Sequence, residues 1–293
     1  TTLIKKILFP AIEKNITGIS EKPGTHKSIS GDINLIKQIE MIDQNPIGKS
    51  SRSNPVTYIK AWDAVRDLFS SQPLSKIRGY LPKHFSFNVD GGRCDACKGE
   101  GEQTVEMQFL ADVHLTCESC GGKKFKEEVL EVKYNSKNIF EILELSVDEA
   151  IEFFREEKEI STKLKPLSDV GLGYIKLGQS SNTLSGGEAQ RVKLASFLGK
   201  GKGQAGKIMF IFDEPTTGLH FHDIKKLLAS FNALIDQGHS IIVIEHNIDV
   251  IKSADWVIEL GPEAGDEGGK LVYAGKPNKL KNCKESRTAP FMK

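Results

Sequence analysis

Five consecutive apolar residues, Ile208-Met209-Phe210-Ile211-Phe212, run into two carboxylates, Asp213-Glu214, and then a proline. A run without polar alternation has no wet face. It is the pattern of a strand buried on both sides, as parallel sheets covered by helices require. An amphipathic stretch, 222–236, comes next, and then a second apolar run, 240–245. Strand, helix and strand in that order constrain this region to an α/β fold with a doubly wound sheet. Ligands of such sheets bind at the carboxyl ends of the strands, which is where Asp213 and Glu214 emerge.

The residues at that end have the chemistry of nucleotide hydrolysis. Asp213 is placed to hold Mg²⁺, directly or through water. Glu214 points to the other side of the strand and can polarise an attacking water. His246 succeeds the second run, where an imidazole can touch a γ-phosphate and couple it to Glu214. Leu184-Ser185-Gly186-Gly187-Glu188 opens a helix expected over 188–198. Its glycines let backbone N–H groups approach a phosphate, the helix aims its positive end there, and Ser185 adds a hydroxyl. Gln44, before the breaker Asn45-Pro46, can reach Mg²⁺ and the attacking water from a loop. Gly218-Leu219-His220 lies where a subunit-contact loop belongs. In this order the pieces form the ABC ATPase pattern of Q-loop, signature, Walker B, D-loop and H-loop.

One piece is missing, since no Gly-x4-Gly-Lys-Ser/Thr occurs in the sequence. Gly48-Lys49-Ser50 is a decoy, because position 43 is Asp and Pro46 precedes it. A helix opening with Thr1-Thr2-Leu3-Ile4 is the natural continuation of a phosphate-loop lysine. Thr1 is therefore expected to be the hydroxyl ligand of Mg²⁺, with Thr2 beside it at the nucleotide, and the sequence reads as cut just after the loop.

The cysteines supply a second constraint. Cys94-x2-Cys97 and Cys117-x2-Cys120 are two knuckles that together complete a tetrahedral four-sulfur site with no open position, as structural zinc prefers. Free thiols or an iron–sulfur cluster are the competing readings. Cys283 stands apart and reads as incidental. No secretion signal and no apolar run near 20 residues occurs, so disulfides and membrane helices are not expected and a cytoplasmic chain is.

Charge says less. Residues 1–93 hold 14 Lys+Arg against 8 Asp+Glu, and the remainder holds 26 against 31. A basic first third suits a polyanion or an ordinary solvated surface. Lys76, Arg78, Lys83, His84, Arg93, Lys98, Lys123 and Lys124 surround the cysteines, with Tyr80, Phe85 and Phe87 interleaved. These aromatics suit nucleic-acid contact and core packing equally.

Elsewhere the periodicity predicts helices over 3–16, 58–69, 146–154 and 248–253, the third with a Ser146–Glu149 capping box. It predicts strands over 129–134, 256–260 and 270–273, an extended segment over 103–110, and either strand or helix over 33–43.

Taken together these residues resemble the UvrA family, the damage-sensing ATPases of bacterial nucleotide excision repair. The likeness spans nearly the whole chain. Its most specific pieces are Ile42 to Gly48, Arg52-Ser53-Asn54-Pro55, Arg78-Gly79-Tyr80, Phe85-Ser86-Phe87-Asn88, Gly92-Arg93-Cys94-x2-Cys97, Leu184 to Leu194, Asp213 to His220, Glu245-His246-Asn247 and Leu260-Gly261-Pro262. The resemblance implies the C-terminal part of such a protein, holding most of its second ABC module. It also implies ATP, Mg²⁺ and Zn²⁺ as cofactors, and damaged double-stranded DNA and UvrB as partners. The full-length protein is expected to be a homodimer with composite ATP sites, in which Ser185 faces nucleotide held by the other module. The sequence departs from the family in lacking the first module, the UvrB-contacting region and the phosphate loop.

The expected fold is thus an incomplete ABC-type P-loop ATPase with an inserted zinc module and a helical signature subdomain. The expected domains are an ATPase lobe with the Q-loop (1–75), the zinc insertion (76–128), a connector to the signature (129–182) and the remaining ATPase lobe (183–293). Two alternatives share these motifs: a UvrA-like paralogue serving resistance or export, and an inactive remnant that binds zinc or DNA. The isolated chain is expected to be a weak ATPase, since no lysine cradles the phosphates.

Overall fold

The computed structural model describes residues 1–48, 52–105, 107, 113–199, 207–261 and 268–292. Lys49 and Ser50 of the decoy, most of 106–112 in the expected extended segment, and Pro262 lie outside the described residues, as does the side chain of His222. The described strands are β1 (Gln38–Ile42), β2 (Glu102–Val105), β3 (Val113–Thr116), β4 (Lys133–Tyr134), β5 (Lys137–Asn138), β6 (Ile208–Asp213), β7 (Ser240–Ile244), β8 (Val257–Gly261) and β9 (Lys270–Gly275). The chain divides into two units, Thr1–Asp43 with Lys202–Lys293, and Gln44–Gly201.

The first unit is the α/β one. The apolar run forms β6, the centre of a three-stranded parallel sheet of order β1-β6-β7. Its two faces are covered by different helices, because successive side chains on a strand point oppositely. Ile211 joins Ile39 of β1 and Ile12 of helix Phe9–Thr17 in one cluster. Phe212, on the other face, meets Phe231 of helix Phe221–Asp236 with ring centroids 4.6 Å apart. Phe210, Ile211 and Phe212 are fully buried.

Three expectations change here. The first helix is continuous, but its opening turns, Leu3–Leu8, are wide π-type turns, and it becomes α-helical only at Phe9. Region 33–43 resolves into a short 3₁₀ turn, Ile33–Leu35, followed by β1. Strands β8 and β9 form, but they pair antiparallel with each other and not with the parallel sheet. Ile258, Leu260 and Leu271 of that ribbon are exposed.

The second unit is mainly helical around an aromatic core. Trp62 and Phe69 on helix Ala61–Ser70 pack against Phe87 and Phe85 at 5.8 and 5.6 Å, and Phe87 reaches Phe125 at 6.3 Å. The Trp62 indole N–H donates to the Phe85 carbonyl at 3.2 Å, which satisfies its one buried polar group. Phe85 and Phe87 are therefore core residues and are not available to a nucleic acid. Tyr80 is half-buried and stacks on His84 at 5.0 Å.

The helix expected over 58–69 is two helices. Pro55–Tyr58 is capped by Asn54, whose side chain accepts from the Thr57 N–H, and Ala61–Ser70 starts afresh after Lys60. Lys60 sits at φ +60°, a left-handed conformation that ends a helix whatever the periodicity says. The strand expected over 129–134 is mostly a helical turn, Glu127–Leu130. Only Lys133–Tyr134 is extended, paired with Lys137–Asn138 through a tight turn whose central residues Asn135 and Ser136 both have positive φ. Helix Lys158–Asp169 is not predicted by the periodicity, and it contains Pro166. The Ser146 capping box forms as expected: its N–H donates to Glu149 Oε2 at 2.8 Å, and its Oγ accepts from the Glu149 N–H at 3.3 Å.

Candidate functional site

In the first unit the carboxyl end of β6 brings Thr1, Asp213, Glu214 and His246 into one place. Asp213 ends the strand and Glu214 comes next at φ +47°, an unfavourable conformation for a side chain with a Cβ. The Glu214 N–H donates to the Ile244 carbonyl at 2.8 Å, so the end of β7 fixes the strained residue. His246 Nε2 lies 3.8 Å from Glu214 Oε1, and both side chains face solvent. Thr1 Oγ1 approaches Asp213 Oδ1 at 3.5 Å. Thr2 is exposed, and its side chain does not cap the helix it starts.

Two residues here are not predicted by the motifs. Lys5, one helical turn after Thr1, places its Nζ 2.5 Å from Asp213 Oδ2. Its position i+4 from Thr1 is the signal that could have found it. Glu245 accepts three backbone N–H groups, from Thr216 at 2.8 Å, His246 at 2.7 Å and Asn247 at 3.0 Å. One carboxylate thus ties the turn after β6 to the turn after β7, and holds His246 where it meets Glu214. The turn continues through Gly218 at φ +73°, which an L side chain rarely adopts.

A hydroxyl and a carboxylate are the hard oxygen donors that Mg²⁺ takes, so Thr1 and Asp213 fit that ion. Glu214 and His246, a carboxylate and an imidazole in mutual reach, fit the activation of a water.

The second unit carries the Ser185-Gly186-Gly187 loop and Gln44. Ser185 caps helix Gly186–Leu198: its Oγ accepts from the Glu188 N–H at 3.3 Å, and its N–H donates to Glu188 Oε2 at 2.7 Å. The first N–H groups of a helix have no partner within it, so Gly186 and Gly187 present donors at its positive end. Gln44 lies against this loop. A Cβ on Gly186 would meet the Gln44 Cβ at 2.9 Å and its Oε1 at 3.0 Å, so only glycine admits so close an approach.

The zinc candidates also converge. The sulfurs of Cys94, Cys97, Cys117 and Cys120 all lie within 4.8 Å of one another. Cys94 and Cys117 are 3.9 Å apart, and Cys97 and Cys120 are 3.7 Å apart. Disulfides, at about 2.05 Å, are excluded. A tetrahedron with Zn–S bonds of about 2.3 Å has edges of about 3.8 Å, so the spacing fits a four-thiolate zinc site.

The two knuckles repeat one backbone course. Positive φ recurs at the first, second and fourth residues after each second cysteine: Lys98, Gly99 and Gly101, then Gly121, Gly122 and Lys124. The Cys94 N–H donates to the Lys124 carbonyl at 2.8 Å and the Cys117 N–H to the Gly101 carbonyl at 2.9 Å, so each knuckle is tied to the other's exit. Burial raises the Cys94 thiol, but backbone N–H groups of Cys97 and Ala96 outweigh it and bring it down to about 7. Burial pushes Cys120 up to about 12. Cys283 lies in the other unit, its sulfur 3.8 Å from the Val272 carbonyl.

Hairpin β2–β3 grows from between the knuckles. Val105, Val113 and Leu115 share one face of it and are exposed. No helix of the described residues is long and apolar enough to cross a membrane.

No family model matches the chain. It is similar over all of its length to curated proteins, however. It is 50% identical over 293 residues to the UvrABC system protein A of Clostridium perfringens, and 50% over 293 residues to that of Aquifex aeolicus. Each alignment covers 100% of this chain and 31% of the relative, so the chain spans about a third of the length of the curated relatives it matches. Among solved structures, UvrA2 from Deinococcus radiodurans is 45% identical with a TM-score of 0.83, over 90% of this chain and 32% of that one. Over 90% of its length the chain therefore shares the fold of the corresponding stretch of that UvrA2 structure.

Proposed function

We propose that this chain is the C-terminal ATPase part of a UvrA protein, and that the protein carrying it hydrolyses ATP while recognising damaged DNA in nucleotide excision repair. The observation that carries the reading is the roughly half identity along the whole chain, which takes in both the β6 site and the cysteine centre. A general ATPase reading accounts for Asp213 and Glu214 but leaves the inserted cysteines unexplained.

In the proposed mechanism Thr1 and Asp213 hold the metal of Mg-ATP, which, when bound, neutralises charge on the phosphates. Glu214 orients and deprotonates the attacking water, and His246 contacts the γ-phosphate and holds Glu214. Gln44 is assigned a catalytic role as the Q-loop residue. Ser185, Gly186 and Gly187 donate to the phosphate of a nucleotide held by the other module, in a composite site, and the full-length protein is a homodimer. The 1–75 and 183–293 segments form the ATPase lobes, 129–182 joins them to the signature, and 76–128 is the zinc insertion.

The cysteine quartet holds a structural zinc. It shapes an insertion that meets DNA through Lys98, Lys123 and their neighbours, with sequence-independent phosphate contacts. UvrB is the partner loaded at the lesion, and the protein works in the cytoplasm. A paralogue for resistance or export shares the ATPase chemistry and differs in its ligand. DNA binding by the protein that carries this chain discriminates between them. Preference for lesion-bearing over intact duplex, declining steeply with salt, is expected; equal, salt-insensitive affinity for both rules out the repair reading.

A further inference from the structure

Packing does not explain Tyr174. The backbone around it is fixed. The Val147 N–H donates to the Ile175 carbonyl and the Asp148 N–H to the Gly173 carbonyl, both at 2.9 Å. Leu172, Ile175 and Leu177 are fully buried. A Cβ at Gly173 would stand 2.0 Å from Asp148 Oδ2, so the loop runs directly against that side chain of helix Val147–Phe153. From this rigid base the Tyr174 ring projects 62% exposed, with little apolar area withdrawn from water.

Its hydroxyl is engaged instead. The phenol O–H donates to Glu188 Oε1 at 2.5 Å, and the other oxygen of that carboxylate accepts the Ser185 N–H at 2.7 Å. Burial of Glu188 opposes its ionisation, but the bonds from Tyr174 and Ser185 and the nearby Arg191 charge outweigh it and hold its pKa down. Burial and the carboxylate push the phenol up, so the proton stays on Tyr174. This is a charge-assisted bond between a rigid loop and the cap of the signature helix.

We infer that Tyr174 is a positioning residue for the loop Ser185-Gly186-Gly187, acting through Glu188. With both oxygens held, Glu188 cannot rotate, and the Ser185 N–H it accepts keeps the loop in its capped course. Donors aimed in advance at developing charge favour the transition state over bound substrate. Loss of the anchor therefore slows turnover more than it weakens nucleotide binding.

The inference rests on the ATPase reading, so Glu214→Gln is the reference variant in its test. Turnover is measured for Tyr174→Phe, Glu188→Gln and the double variant of the ATP-hydrolysing protein that carries this chain. Phenylalanine keeps the ring and removes only the hydroxyl. The expected result is a kcat about tenfold lower for Tyr174→Phe, from a charge-assisted bond at a half-exposed site, with KM within about twofold. The double variant is expected to be no slower than the slower single one, since both changes break one linkage. Wild-type kcat for Tyr174→Phe overturns the inference, as do losses that multiply in the double variant or a rise in KM without a fall in kcat. Turnover that survives Glu214→Gln removes the ATPase reading itself, whereas loss in Glu214→Gln without loss in Tyr174→Phe removes only this inference.

Discussion

Stripping the metal from the cysteine centre should lower the melting temperature of the Gln44–Gly201 unit. Four sulfurs within 4.8 Å, with cross-knuckle spacings of 3.7 and 3.9 Å, are already arranged as a zinc ion needs them. An unfolded chain offers no such arrangement, so binding energy becomes folding energy. Free zinc at a thousand times its dissociation constant stabilises the folded state by about 4.1 kcal/mol. A unit of this size shifts its midpoint by about 2–4 °C per kcal/mol, which gives a fall of about 8–16 °C on removal. The assay is calorimetry of the whole chain with and without a strong chelator, with released zinc titrated against protein. About one zinc per chain is expected, lost on Cys117→Ala and kept on Cys283→Ser, since Cys283 lies in the other unit. A chain that is metal-free as purified, and melts at one temperature with or without chelator, refutes the reasoning.

Other perturbations test other layers of the structure. Phe212→Ala empties the fully buried side of β6 against Phe231 and should cost about 3–5 kcal/mol in denaturant unfolding; a cost under about 1 kcal/mol contradicts the packing described. Ser146→Ala should lower the melting temperature at pH 7 by removing a helix cap. The backbone N–H of residue 146, which alanine keeps, and the Ser146 hydroxyl, which it removes, hold Glu149 below the usual carboxylate range. The hydroxyl's contribution is therefore present above the ordinary carboxylate pKa and lost as pH falls through the lowered one, so the difference between wild type and Ser146→Ala should shrink on acidification below the ordinary carboxylate range; a difference that grows on acidification shows the sign to be wrong.

What was legible in the sequence is local. Ile208–Asp213 announced itself as a buried strand because no polar residue interrupts it. The Ser146 box reads off two residues three apart, and the cysteines declare their site by spacing alone. The features that were not legible depend on residues far apart in the chain. Helical periodicity runs straight through Lys60, whose left-handed backbone breaks the helix. Phe85 and Phe87 look as fit for a nucleic acid as for a core, until Trp62, Phe69 and Phe125 close around them. Pro166 hides a helix that its neighbours support. At the β6 site Asp213, Glu214 and His246 are read from motif and strand end, but the Lys5 ion pair on Asp213 and the three N–H groups on Glu245 arise only from folding.

The proposed function places ATP hydrolysis at the carboxyl end of β6. Its most direct test is ATP binding and turnover by the protein carrying this chain, wild type against Glu214→Gln. The amide keeps the shape of the side chain and removes the base, and a positioned base contributes about 10²- to 10⁴-fold. Glu214→Gln is expected still to bind ATP while its turnover falls at least about a hundredfold. Turnover at the wild-type rate in Glu214→Gln would contradict it.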